Sequence, residues 1–549
     1  MIGRLPLLLL LLATGSACAT DYYVHPGLGD DRHSGKSAGA PWQSLRKVNA
    51  TRLTAGDRVL LATGQTFKDS LDLKNIRGSR DKPVIVASYG DDEKQGRAAI
   101  DASGLPFAVH IVNSSHVTIR NLELSADGGK VTWRARQQRM RAAVLIEMTR
   151  PGAYENIHLE GLDVHDVFFE DPGVTRSPEE THTANGTESY GFGIRVLNTA
   201  SDATLDGLVI LNNTVSRVSH TGIKIGSETR RAIHGVRIEN NRVTDTGGPG
   251  MQMGRVGDMV VRGNVVNGSG SVKDSRNWGR GSGMWTWKSD DVLIEKNAFL
   301  NANGPADSAG VHIDFGCHNV VIQYNLSANN AGGFYEVLGD NHNTAYRYNV
   351  SINDGRRVKG ENGAFQEGKT FWLSGYAGTK SERTGPFNSY FYNNTIYVNK
   401  DIVSKVAVAG TADGALIANN IFYIEGRSEA VRGDQYRPDR GGASRAKNII
   451  FRNNLFLRPD NWPDGTGLQD SAPIIGDPEF VFTDAMKISD FLPTNIALVN
   501  DRGMQIEPLP GDTAGLPGGL TVSHDILGNP VVGLPDVGAI EVSRDPMNE

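Results

Sequence analysis

The chain has 549 residues, a formal net charge of −6, 65 glycines and two cysteines. That balance leaves no global basic field of the kind a nucleic-acid binder carries, and so few cysteines exclude a disulfide framework. Abundant glycine without a collagen period points to many tight turns between short strands, so stability must come from one large continuous core.

Residues 1–19 read as an export signal: one positive charge in residues 1–4, a nearly all-leucine run over 5–12, and the small-residue cleavage site Ala17-Cys18-Ala19. Acylation of Cys18, as in an outer-membrane lipoprotein, is the second reading, because Gly15 stands where such signals usually carry Leu. The leucine run is too short to span a bilayer and no later segment is long and apolar enough. The expectation is an exported monomer, periplasmic or extracellular.

Residues 20–104 begin with Asp21-Tyr22-Tyr23-Val24 and continue through strand-like segments at 56–61 and 83–87 separated by turn residues. They are expected to cap the open end of a repeat structure and form its first coils. From about residue 105 a β-rich run closing on Asn recurs, at residues 117–121, 208–213, 236–241, 259–264, 292–297, 320–325, 344–349, 389–394, 415–420 and 448–454. Close spacings are 28 (Asn213 to Asn241), 23 (Asn241 to Asn264) and 24 (Asn325 to Asn349), a repeat period. Asn at one turn can stack, each amide bonding its neighbour along the axis. No leucine-rich frame recurs, and a propeller needs longer blades. The pattern predicts an all-β chain: a right-handed parallel β-helix of about ten coils over residues 105–456, with residues 457–549 as a C-terminal cap.

A second strand lies within each coil and starts at glycine: Gly193, Gly222, Gly250, Gly283, Gly310, Gly332 and Gly363. Period-two alternation places the second and fourth positions inside and the third and fifth outward. One outward row is then Arg195, Lys224, Gln252, Trp285, His312, Phe334 and Phe365. The other is Leu197, Gly226, Gly254, Trp287, Asp314, Glu336 and Glu367. Two Trp, two Phe, a His and three carboxylates fit a glycan groove better than a solvated face. The inserted segments, with Arg134, Arg136, Arg139 and Arg141 in one of them, are expected to wall that groove.

The Tyr22-Tyr23-Val24 start, the Gly56-Asp57 turn, the Asn-Asn coil endings and the Pro535-Asp536-Val537-Gly538-Ala539 finish resemble exported bacterial right-handed β-helix proteins that act on polysaccharides. Ile313-Asp314 and Phe334-Tyr335-Glu336 are locally similar to the β-helix β-xylosidases, although that family has an aromatic where this chain has Ile313. The similarity implies a nucleophile at Asp314 and an acid/base at Glu336.

The residues carry a parallel argument. Coils about 4.8 Å apart put equivalent outward carboxyls roughly 5–6 Å apart, within the range retaining glycosidases use. Asp314 is thus expected as nucleophile, Glu336 as acid/base, and Glu367 as a third carboxylate keeping Glu336 protonated. Trp285 and Trp287 would stack a sugar, and His312, Lys224, Arg195, Gln252, Phe334 and Phe365 would complete the binding surface. The expected function is glycoside hydrolysis of a poly- or oligosaccharide, with no cofactor and no metal. Two alternatives stand: a polysaccharide lyase acting on a uronate through Arg195 or Lys224 (epimerase chemistry shares its first step), and a non-catalytic glycan-binding solenoid.

Overall fold

The computed structural model describes residues 19–542, except 92, 93, 95, 130–139, 184–188, 435–444 and 482–485. Residues 1–18 of the expected signal, and Arg134, Arg136 and Arg139, lie outside the described residues.

Three long parallel sheets wind about one axis. The first runs from Asp21–Val24 to Lys447–Arg452, the second from Leu71–Lys74 to Ser428–Ala430, and the third from Thr66–Phe67 to Ile474–Ile475. Through the central coils the chain visits the three sheets in turn, and each strand pairs with its counterpart one coil away. This is a right-handed parallel β-helix. Its interior is filled by columns of like residues. Val109, Val144, Ile194, Ile223, Met251, Met284 and Val311 follow one another in register and are all buried. Each such side chain contributes about 1.5–3 kcal/mol of burial free energy.

The asparagine period has a physical cause. Asn213, Asn241, Asn264, Asn297, Asn325, Asn349, Asn394, Asn420 and Asn454 form one buried ladder, each amide Nδ2 donating to the next Oδ1 at 2.8–3.0 Å. The same oxygens accept the backbone N–H of the Asn one coil before, and Asp470 closes the far end. The residue just before each ladder position turns left-handed, as Asn212 (φ 56), Asn240 (φ 53), Asn393 (φ 50) and Asn419 (φ 56) show. A pair of asparagines therefore divides the work: the first turns the chain and the second joins the ladder. Asn121 (φ 55) occupies the turning position, so it lies outside the ladder.

The glycine column is equally constrained. A Cβ on Gly193, Gly222, Gly250 or Gly283 would meet the carbonyl oxygen of the next glycine in the column at 2.4–2.7 Å. The expected column breaks above Gly310. Ala309 pairs with Gly333 and Ile313 with Val337, a step of 24 residues that sets Phe334 level with Gly310. Phe334 therefore turns into the core, fully buried against Tyr335 and Tyr346, and lies on no outward row. The next expected strand, at residues 363–367, is instead a turn and loop. The rung is filled by Lys369–Leu373, whose Phe371 and Leu373 supply the apolar alternation that residues 363–367 lack.

Of the expected cap over residues 457–549, Ile474–Ile475 still adds a rung to the third sheet, whereas residues 504–542 run along the outside of the coils. Tyr392 Oη donates to Leu520 O at 2.6 Å, Asn393 Nδ2 to Asp536 O at 2.6 Å, and the N–H of Gly538 to Asn419 O at 2.8 Å.

Replacing Asn325 by Ala should leave the buried Asn297 N–H and Ile294 carbonyl without partners. At about 1–3 kcal/mol per orphaned group, thermal or denaturant unfolding should shift by roughly 2–5 kcal/mol. An unchanged midpoint would show that the ladder only decorates the turn.

Candidate active site

The outward face of the second sheet carries the site. The 24-residue step that buries Phe334 also moves Glu336. It stands level with His312, and its next neighbour is Trp372. The observed row is Arg195, Lys224, Gln252, Trp285, His312, Glu336 and Trp372. Asp314 continues the second row beyond Trp287, its N–H bonded to Thr286 O at 2.9 Å. Asp314 and Glu336 therefore meet diagonally, on adjacent rungs but different rows, rather than stacked one above the other.

A third carboxyl joins them. Asp307 lies just before the strand Val311–Ile313, and Asp307 and Ser308 both adopt left-handed backbones (φ 47 and 65). Strained conformations persist where the surroundings over-determine them, and Asp307 is held from several sides. Its N–H donates to Gln366 Oε1 at 2.9 Å, its carbonyl accepts from Arg357 Nη1 at 2.8 Å, and its carboxylate is paired with the fully buried Arg280. Arg280 itself lies over the rings of Trp278 and Phe365.

The three carboxyls differ in charge. Burial opposes ionisation of Asp307, but Arg280 outweighs it, and the group stays below the ordinary carboxylate range. Asp314 is pushed up to about 8, by burial first and then by the charge of Asp307, against the N–H of Phe315, which donates to Oδ1 at 2.8 Å. Glu336 is also pushed well above its ordinary value. Burial is the largest cause; Asp307 and Asp314 add to it, while Lys369 and Arg357 oppose it. At neutral pH the cleft thus holds one carboxylate beside two carboxylic acids. His312 is pushed down to about 4 by burial and is neutral. Ser282 Oγ accepts the N–H of Ala309 and lies 3.1 Å from His312 Nδ1, which fixes the orientation of the ring.

Of the other expected residues, Trp285 stacks on His312 at 5.8 Å, and Trp287 packs edge-on against Phe315 beneath Arg255. Lys224 and Arg195 both lie over the ring of Phe192, with Lys224 three rungs from His312 and Arg195 four. Phe365 is on a loop against His182 and Arg280, off the row. Glu367 is the clearest departure from expectation. Its carboxylate pairs with Lys405 at 2.7 Å, and the charges acting most on Glu336 come from Lys369, Asp307, Asp314 and Arg357 instead. Arg141 is fully buried and donates to the carbonyls of Gly128 and Gly129, so it braces a turn rather than walling a groove.

Sequence reasoning missed Asp307, Arg280, Arg357, Lys369, Phe315 and Trp372. Its available signal was the pair Asp307 and Asp314 bracketing one short strand.

The right-handed β-helix region family matches residues 192–396. The lacto-N-biosidase of Bifidobacterium longum subsp. longum is 26% identical over 631 aligned positions, which take in 96% of this chain and 37% of that protein. The chain thus spans little more than a third of this curated relative. Crystal structures of the GH136 lacto-N-biosidase from Eubacterium ramulus, native and selenomethionine forms, superpose with TM-scores of 0.53 and 0.54 at 22% identity. They cover 75% of this chain and 68% and 67% of theirs, a likeness of fold.

The raised carboxyls make a prediction about stability. Between about pH 7 and 8, where an imidazole of ordinary pKa is mostly neutral, the folded chain holds more protons on Asp314 and Glu336 than the unfolded chain does. Stability therefore falls as pH rises through that window. Chemical denaturation should show a loss of at least ~1 kcal/mol, and the double variant Asp314→Asn, Glu336→Gln should reduce it, with Glu541, also pushed up to about 8, contributing the remainder. An equal loss in the variant would place the titrating groups elsewhere.

Proposed function

We propose that the protein is an exported glycoside hydrolase acting on an oligosaccharide. The observation that carries this reading is the division of charge just described: a carboxylate held ionised by Arg280, within electrostatic reach of two carboxyls held protonated. Glycosidic cleavage uses both forms, a carboxylic acid to protonate the leaving oxygen and a carboxylate to attack or stabilise the sugar cation. Glu336 is assigned as proton donor and subsequent base. The attacking carboxylate is supplied by Asp307 or Asp314, which stand just before and just after the strand Val311–Ile313. Neutral His312 and the rings of Trp285 and Trp287 bind the sugar.

The similarity to lacto-N-biosidase directs the first substrate to test, a chromogenic lacto-N-bioside. Export rests on the signal-like residues 1–19; among the described residues no helix is long and apolar enough to cross a membrane. The lyase reading needs a base beside the sugar, and Lys224 and Arg195 stand three rungs or more from His312.

Purified protein should release the chromophore, and Asp307→Asn, Asp314→Asn and Glu336→Gln should each lower kcat by about 10²–10⁴ while retaining product binding. Azide should restore turnover in whichever Asp variant has lost the attacking carboxylate. Full activity in Glu336→Gln with an unsaturated product would establish a lyase. Binding without turnover across a glycan panel would establish a binding solenoid.

A further inference from the structure

Beneath Glu336 lies a second charged assembly that the cleavage scheme does not use. Lys369, 2% exposed, opens the strand Lys369–Leu373, and its ammonium stands 4.0 Å from the ring centroid of Trp372, the rung neighbour of Glu336. A buried ammonium needs a partner, and this one is brought from far along the chain. Asp434, which follows the last strand of the second sheet (Ser428–Ala430), reaches back so that Oδ1 accepts from Lys369 Nζ at 2.6 Å. Its other oxygen, Oδ2, accepts the N–H of Glu367 at 2.8 Å and Lys359 Nζ at 3.3 Å. One carboxylate therefore ties down both Lys369 and residues 359–367, the segment whose Gln366 side chain holds the N–H of Asp307.

Resting on the hydrolase reading above, we propose that Asp434 is a positioning residue. It anchors Lys369 over Trp372, so that the ammonium biases Glu336 electrostatically without taking it as its ion-pair partner. The distinction matters chemically. A lysine paired directly with Glu336 would hold it as an anion and abolish proton donation. A lysine paired with Asp434 leaves Glu336 protonated yet close to a positive charge that stabilises the carboxylate formed as the leaving oxygen takes the proton. The charged and titratable groups around the pair are His312 and Asp314 on the strand and turn below, Asp307 before them, and Arg280 from the loop over the cleft. Arg357, Lys359 and Glu367 come from the following loop, Lys405 from the next rung, Tyr346, whose Oη donates to the Glu336 carbonyl at 3.1 Å, from the first sheet, and Asp434 from beyond the last strand of the second sheet. Of these, Asp434 is the one whose carboxylate is bonded to Lys369.

The two members of the pair should act in opposite directions. Lys369→Met removes the positive charge, so Glu336 should hold its proton to higher pH and the alkaline limb of kcat/KM should move up by about one pH unit. Asp434→Asn releases Lys369 toward Glu336, so the limb should move down by a similar amount and kcat should fall at least about tenfold. The double variant should follow Lys369→Met. Carbon-13 NMR of the Glu336 carboxyl, identified by its loss in Glu336→Gln, reads the same shifts whether or not the protein hydrolyses anything. Failure of the hydrolase reading is thereby separated from failure of this one. Two single variants that lose activity or thermal stability with no change in the Glu336 titration would reduce Asp434 to a structural clamp and overturn the proposal.

Discussion

The buried asparagine ladder is the constraint on which the rest of the molecule depends. A buried primary amide needs its hydrogen bonds satisfied, and each ladder Asn finds them in the coil before and the coil after. Every coil must therefore return to the same angular position, whatever its length. Successive ladder residues are as close as 23 apart and as distant as 45. The extra residues cannot enter the wall of the helix without breaking the ladder, so they leave it as loops. Those loops carry Arg280, Asp307 and Arg357 to the face where Asp314 and Glu336 emerge from the strands. A stability device thus determines where functional groups can accumulate.

The cleft itself draws on that stability. Asp314 and Glu336 are carboxyls buried without a directly bonded cation of their own, and both are displaced toward the protonated state for that reason. Asp307 escapes because Arg280 reaches it, and Lys369 is paired with Asp434 rather than with Glu336. Burial does the same thing to His312 in the opposite sense, keeping it neutral. Low dielectric and selective pairing together make chemically similar groups behave differently within one site. The cost in folding free energy is tolerable in a helix whose interior columns bury an aliphatic or aromatic side chain at nearly every rung.

The fold was legible because its two signals are both local and periodic. Asn at the coil ending and Gly before the inward-alternating strand repeat for reasons visible in each coil separately. The site was less legible because it depends on register, which is set between coils. Aligning Gly332 with Gly310 makes Asp314 and Glu336 equivalent, whereas pairing of Ala309 with Gly333 and Ile313 with Val337 sets Glu336 beside His312. Both segments open on glycine, and the inward Phe334 decides between the two alignments by filling the space that Gly310 leaves open below. Glu367 was misplaced for a related reason. Residues 363–367 begin with glycine as the strands do, but the apolar alternation that holds a rung in the core starts at Lys369. Asp307 and Arg280 could not be joined from sequence, since their pairing spans 27 residues across a loop.

The central claim is that these carboxyls add water across a glycosidic bond. It is tested most directly by digesting an oligosaccharide in water enriched in heavy oxygen and weighing the fragments by mass spectrometry. Hydrolysis predicts one heavy oxygen at the newly formed sugar end, with wild-type protein and not with Asp314→Asn. Fragments lacking the label, and lighter by the elements of water, would contradict it.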